Sequence, residues 1–146
     1  MANYKIKEFH GDIDRWINAV NDGLEDCIEL FAVKVHTDLV RRSPVDTGRY
    51  RGNWQVTANS PPLYALNQYD KHGDKTIAEG KRAIFAIMRG GGAVRSIYFS
   101  NMLIYANALE YGHSKQAPAG VLGIVAAKLR TYIAEAIKES RKKNGL

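Results

Sequence analysis

The feature that most constrains this chain is an apolar stripe of helical period: Ile13, Trp16, Ile17, Val20, Leu24, Cys27, Ile28, Phe31, Val35 and Leu39. Steps of three and four residues place these side chains on one face of an α-helix. Asp12 can cap its start by accepting a backbone N–H, while Arg41 and Arg42 suit the negative end of the helix dipole just before the Ser43-Pro44 break. A helix from about Ile13 to Arg42 would measure roughly 45 Å at ~1.5 Å per residue, more than a small core needs. Part of it is therefore expected to meet another subunit.

The residues beyond the helix set the fold class. Ser43-Pro44-Val45-Asp46-Thr47-Gly48 concentrates turn formers, since Pro fixes one dihedral, Asp bonds nearby amides and Gly admits positive φ. Tyr50, Gly52, Trp54 and Val56 then alternate with Arg51, Asn53, Gln55 and Thr57, the period of a strand with one apolar face. Asn59-Ser60-Pro61-Pro62 closes it, and the stretch to Gly73 has no clean period. Ile77, Lys81, Ile84 and Met88 fall at helical spacing, although Gly80 in the interior costs roughly 1 kcal/mol relative to Ala, so a weak helix is expected. After Gly90-Gly91-Gly92, Val94 to Ser100 has the composition of a second strand. A last helix from about Pro118 or Ala119 puts Leu122, Val125, Leu129, Tyr132, Ile133, Ala136 and Ile137 on one side and ends rich in Lys and Arg.

Helix, strand, helix, strand, helix predicts an α+β fold, with a long N-terminal helix and a C-terminal helix packed on a small, mainly antiparallel sheet. Its 146 residues fit a single domain over 1–146, with a variable insertion at about 59–92. Two strands alone make a marginal sheet with open edges, so the aperiodic middle or a neighbouring subunit is expected to extend it.

Composition narrows the setting. Twenty-one Lys and Arg against 15 Asp and Glu leave a net charge of +6, which favours polyanions or acidic protein surfaces without choosing between them. The lone Cys27 cannot form an intrachain disulfide and fits a small buried hydrophobe in a reducing compartment. Met1 to His10 lacks the continuous apolar core of a signal peptide, and no apolar run approaches the roughly 20 residues that span a bilayer. A soluble protein, cytoplasmic when made, is the expectation.

Catalytic signatures are weak. Cys27, His36 and Asp46 supply nucleophile, base and acid types with no local signature, and His36 beside the apolar stripe reads better as a packed histidine. His10, His36, His72 and His113 are scattered, so no metal site is assigned. Gly90-Gly91-Gly92-Ala93 lacks the Lys-Ser/Thr ending of a phosphate-binding loop and precedes a strand. Asp12, Asp14, Asp22 and Asp26 follow a helix and read as its solvated face. Arg41, Arg42, Arg49 and Arg51, with Tyr50 and Trp54 among them, have the composition of a nucleic-acid surface, yet strand alternation turns the aromatics inward. Lys138, Arg141, Lys142 and Lys143 read as a solvated helix end, with an acidic partner or DNA as the second reading. The expectation is no enzyme and no cofactor.

Two segments carry a resemblance. Ser43-Pro44-Val45-Asp46-Thr47-Gly48-Arg49-Tyr50-Arg51-Gly52-Asn53-Trp54 and, downstream, Asn101 with the run from Tyr105-Ala106-Asn107-Ala108-Leu109-Glu110-Tyr111-Gly112-His113-Ser114 to Lys115-Gln116-Ala117-Pro118-Ala119-Gly120 resemble the tail-component family of tailed bacteriophages. That family, of the minor tail protein Z type of lambda-like phages, includes neck, tail-completion and head-tail joining proteins. The resemblance covers most of the chain in order and spacing. It implies a structural virion protein in the neck or tail, a ring subunit whose partners are its own copies and neighbouring neck or tail proteins, with non-specific contact to passing DNA. A tail terminator capping the tail tube is the alternative within that class, and a basic DNA-binding protein the alternative outside it. Pro44, Asp46, Thr47, Gly48, Trp54, Tyr105, Glu110, Tyr111, Gly112, Gln116 and Pro118 become the candidate motif and interface residues, and Arg41, Arg42, Arg49 and Arg51 the candidates for a lumen or DNA-facing surface. Asp46 and Thr47 are expected to bond the Tyr-Gly-His-Ser loop and so join the two motifs, in one subunit or across two.

Overall fold

The computed structural model describes residues 2–110, 115–117 and 120–145. Helix α1 spans Ala2–Arg42, followed by β1 (Trp54–Ala58), α2 (Asp74–Arg89), β2 (Ile97–Asn101), α3 (Ala106–Glu110), α4 (Leu122–Ala127) and α5 (Leu129–Lys143). The fold is α+β: two antiparallel strands in register from Trp54 opposite Asn101 to Ala58 opposite Ile97, with helices packed against them. Among the described residues no helix is long and apolar enough to cross a membrane.

Helix α1 is the spine. It begins well before the expected cap, so Asp12 lies inside the helix and not at its start. Its second half buries Ala32, Val35, His36, Leu39 and Val40. Leu39 and Val40 join Tyr50, Trp54, Ile77, Leu103, Val121 and Val125 in the main core, and Ala32 joins Val56 and Ile84 in a second cluster. Of the expected stripe, Leu24 and Ile28 stay exposed. The reason is that α5 covers α1 along a different line: Lys34 pairs with Glu135 and Glu139, the Tyr132 hydroxyl donates to Asp38, and Asn144 donates to Asp26 at 2.8 Å.

The first strand starts later than alternation predicts. Arg51–Asn53 forms a 3₁₀ turn, and Asn53, expected outside, is fully buried. Its amide donates to the Arg49 carbonyl at 2.6 Å and its oxygen accepts from Leu66 N–H at 2.7 Å. The middle segment adds no strand to the sheet. It is held instead by side chains: Gln55 donates to the Tyr64 carbonyl, and Gln68 to the Gly52 carbonyl and the Thr76 hydroxyl. Asp70 then caps α2, accepting from Gly73 N–H and from both the N–H and hydroxyl of Thr76. Burial works against the charge on Asp70, but these bonds outweigh it and hold its carboxyl below the usual carboxylate range.

Helix α2, expected to be weak, is a full element of 16 residues that puts Ile77 and Ile84 into the core. Gly80 is the point where it meets α1: a Cβ there would lie 2.1 Å from Cδ2 of His36. The His36 imidazole donates from Nε2 to the Thr76 carbonyl at 3.1 Å, since a carbonyl can only accept. Burial lowers its pKa, more than that hydrogen bond raises it, so the ring is held neutral.

The predicted last helix is two helices. The chain turns at Lys128, whose N–H bonds the Val125 carbonyl in a tighter three-residue step. Val125 and Ala136 are buried and Leu129 and Tyr132 half-buried, whereas Leu122, Ile133 and Ile137, expected on the same inner side, are exposed: the covered line of α5 runs through Leu129, Tyr132, Ala136 and Ser140, one step round the helix from Ile133 and Ile137.

Candidate assembly site

The first motif is built by the end of α1. The Ser43 hydroxyl donates back to the Leu39 carbonyl at 2.7 Å and accepts the Trp54 indole N–H at 2.7 Å, fixing the turn between helix and strand. Pro44 is buried behind it. Gly48 has φ +85, and a Cβ on it would meet the backbone of Asp70 and Lys71 at 2.5–2.8 Å. Its carbonyl accepts N–H groups of both Gly52 and Asp70 at 2.9 Å. Only glycine meets both demands.

The second motif packs alongside. Glu110, at the end of α3, turns its carboxylate onto the N-terminus of α4: Oε1 accepts from Val121 N–H at 3.0 Å and from Leu122 N–H, and Oε2 from Gly123 N–H at 3.3 Å. These are the amides a helix leaves without internal partners. The Glu110 carboxylate also lies near Tyr50, whose phenol is pushed above its ordinary pKa by burial and then by that charge. Gly120, at φ +79, leaves no room for a Cβ beside Glu110, so the carboxylate fits only against glycine.

The two motifs meet through one side chain. The Gln116 amide donates from Nε2 to the Val45 carbonyl at 2.8 Å, and its Oε1 accepts from Val45 N–H at 2.9 Å, copying the two bonds of an antiparallel strand pair across 71 positions of sequence. A pocket of about 260 Å³ opens at this junction, walled by Pro44, Asp46 and Arg49 from one motif and Tyr105, Leu109 and Gln116 from the other. Asp46, Thr47 and Tyr105 are exposed around it. Thr47 accepts from Arg49 N–H at 3.3 Å within its own turn. Tyr111, Gly112 and Pro118, with the Tyr-Gly-His-Ser loop to which Asp46 and Thr47 were expected to bond, lie outside the described residues. Sequence reasoning named Gln116 but not its partner; the main-chain groups of Val45 carry no signature in a sequence.

The four arginines have separate fates. Arg51 donates to the carbonyls of Lys71 (2.8 Å), Arg41 (3.2 Å) and Ser43 (2.8 Å), bracing the end of α1 against the segment before α2. Arg42 pairs with Asp38 at 2.8 Å. Arg49 is half-buried, with no hydrogen-bond partner for its Nε among the described residues, and Arg41 is exposed. Arg51 is thus a structural brace. Asp70 and Gln68, which hold the middle segment, went unnoticed in an aperiodic stretch.

No protein-family model, curated protein or solved structure matches the chain.

Proposed function

We propose that this chain is a structural protein of a phage neck or tail, a ring subunit acting in tail completion or head-tail joining, and that it transforms no substrate. The observation that carries the reading is the bidentate Gln116–Val45 clamp, which brings the two segments of the family resemblance into one surface. A motif pair serving assembly needs that union, because a ring subunit offers one composite face to a different face of its neighbour. Asp46, Thr47 and Tyr105 are exposed at the junction, while Ser43, Gly48 and Glu110 are committed to internal bonds that shape it. The internal roles of Arg51 and Arg42 favour a structural role over DNA binding as the main task. Residual basic surface such as Arg41 suits passing DNA, which is met through phosphates without reading bases.

In a phage lacking this reading frame, electron micrographs should show filled heads and separate tails. Purified protein added to that lysate should restore plaques, and a Gln116→Ala protein should restore far fewer. Full infectivity without the gene refutes the reading.

A further inference from the structure

Among the described residues, Arg42, Arg49 and Arg51 are the arginines that are partly buried. Arg42 pairs with Asp38, and Arg51 donates to three carbonyls. Arg49 differs from both. Its Nε is closed off from solvent with no hydrogen-bond partner, and no carboxylate pairs with its guanidinium among the described residues. A cation taken partly out of water with nothing to offset it destabilises the fold that holds it.

Arg49 lines the pocket of about 260 Å³ between the two motifs, and a second donor is left over there. The Thr47 oxygen accepts from Arg49 N–H at 3.3 Å, which leaves the hydroxyl proton unused among the described residues. Pro44, Tyr105 and Leu109 add apolar wall. Two donors, one of them charged, beside an apolar wall match a carboxylate at the end of a short aliphatic stem. The rim argues against a phosphate backbone. Asp46 lines the same pocket, exposed and not paired with Arg49, and repels a polyanion. A peptide instead brings a single carboxylate, together with main-chain N–H groups that Asp46 can accept.

We infer that this pocket takes the side-chain carboxylate of a glutamate or aspartate on a partner protein, with the Arg49 guanidinium and the Thr47 hydroxyl as donors. Placing that partner in a phage neck or tail rests on the reading proposed above; the chemistry of the pocket does not. Arg49 is then kept for a contact made only on binding, and it destabilises the free subunit.

Two measurements on the full chain test this. Arg49→Met keeps an apolar stem and removes the uncompensated charge, so its urea midpoint should equal or exceed the native one. A clear fall would mean that the guanidinium is held internally, and would overturn the proposal. In the second, isotope-labelled protein in low salt is titrated with acetyl-Ala-Glu-Ala-amide to about 50 mM and followed by NMR. The Nε–H resonance of Arg49, identified by its absence from the Arg49→Met spectrum, should shift and saturate. The Gln analogue, and acetyl-Ala-Ala-Ala with its terminal carboxylate free, should bind roughly tenfold more weakly or not at all. No shift, an equal response to the Gln analogue, or tighter binding of the free-terminus peptide or of a short DNA duplex at this resonance overturns it. Carboxylate capture by the purified chain can hold while a phage lacking the gene stays fully infective, so the pocket and the virion role fail separately.

Discussion

Replacing Gly80 by Ala ought to stabilise a helix by about 1 kcal/mol on intrinsic propensity, and in this protein it should do the opposite. The added methyl would lie 2.1 Å from Cδ2 and 2.2 Å from Nε2 of His36, where apolar contacts normally begin near 3.5 Å. His36 is 2% exposed, so the imidazole has no solvent to move into. Any shift large enough to relieve the clash stretches its 3.1 Å bond to the Thr76 carbonyl. Overpacking costs roughly 1–3 kcal/mol and the weakened bond about 1 kcal/mol. Less the propensity gain, the net loss is about 1–3 kcal/mol, or a fall in Tm of roughly 2–12 °C for a domain of this size. Urea unfolding of the native chain, Gly80→Ala, His36→Ala and the double variant forms the assay. With the ring removed, Gly80→Ala should become neutral or stabilising, giving a coupling of at least ~1 kcal/mol between the two sites. A Gly80→Ala chain more stable than the native one, or the same effect in both backgrounds, would refute the reasoning.

Three further outcomes can be checked on purified protein. Glu110→Ala, which strips the N-terminus of α4 of its acceptor, should cost about 1–2 kcal/mol in chemical unfolding, and Glu110→Gln less, because an amide oxygen still accepts. Arg51→Lys keeps the charge but not the fork that reaches three carbonyls; a loss of about 1–2 kcal/mol is expected, and an unchanged midpoint would contradict the bracing role. The folded pKa of His36 lies below its ordinary value of 6.5, so the unfolded chain binds the proton more readily. The stability from keeping the ring neutral is complete above about pH 6.5 and is lost as pH falls from there through the lower folded value. The midpoint of unfolding should therefore drop more between pH 7.5 and pH 5 in the native chain than in His36→Ala.

Periodic elements were legible, and contacts across them were not. The 3.6-residue stripe revealed α1 and α2, and alternation found Trp54 and Val56 on the inner face of β1. Alternation failed one turn earlier, at Asn53, because a buried amide with main-chain partners looks like an exposed polar residue in a sequence. Gly80 read as a weakness for the same reason: the residue that requires it, His36, lies 44 positions away. The break at Lys128 was hidden because the apolar spacing runs on through it. At the motif junction Gln116, Glu110 and Gly48 all carry structure, but their partners are backbone groups or lie in the aperiodic stretch around Asp70, where a sequence shows no signature.

The packing of Gly48 against Asp70 and Lys71 bears on how genetics would read this gene. On the proposed virion role, a screen for lost plaques would recover changes at Gly48 as readily as changes at a residue touching a partner, although the lesion is a failure to reach the native state. Second-site suppressors separate the two classes. Revertants of a Gly48 change should map within the same gene, near codons 70 and 71, while those of an exposed residue proposed to touch a partner, such as Tyr105, should fall in the gene of that partner or on the opposing face of another copy.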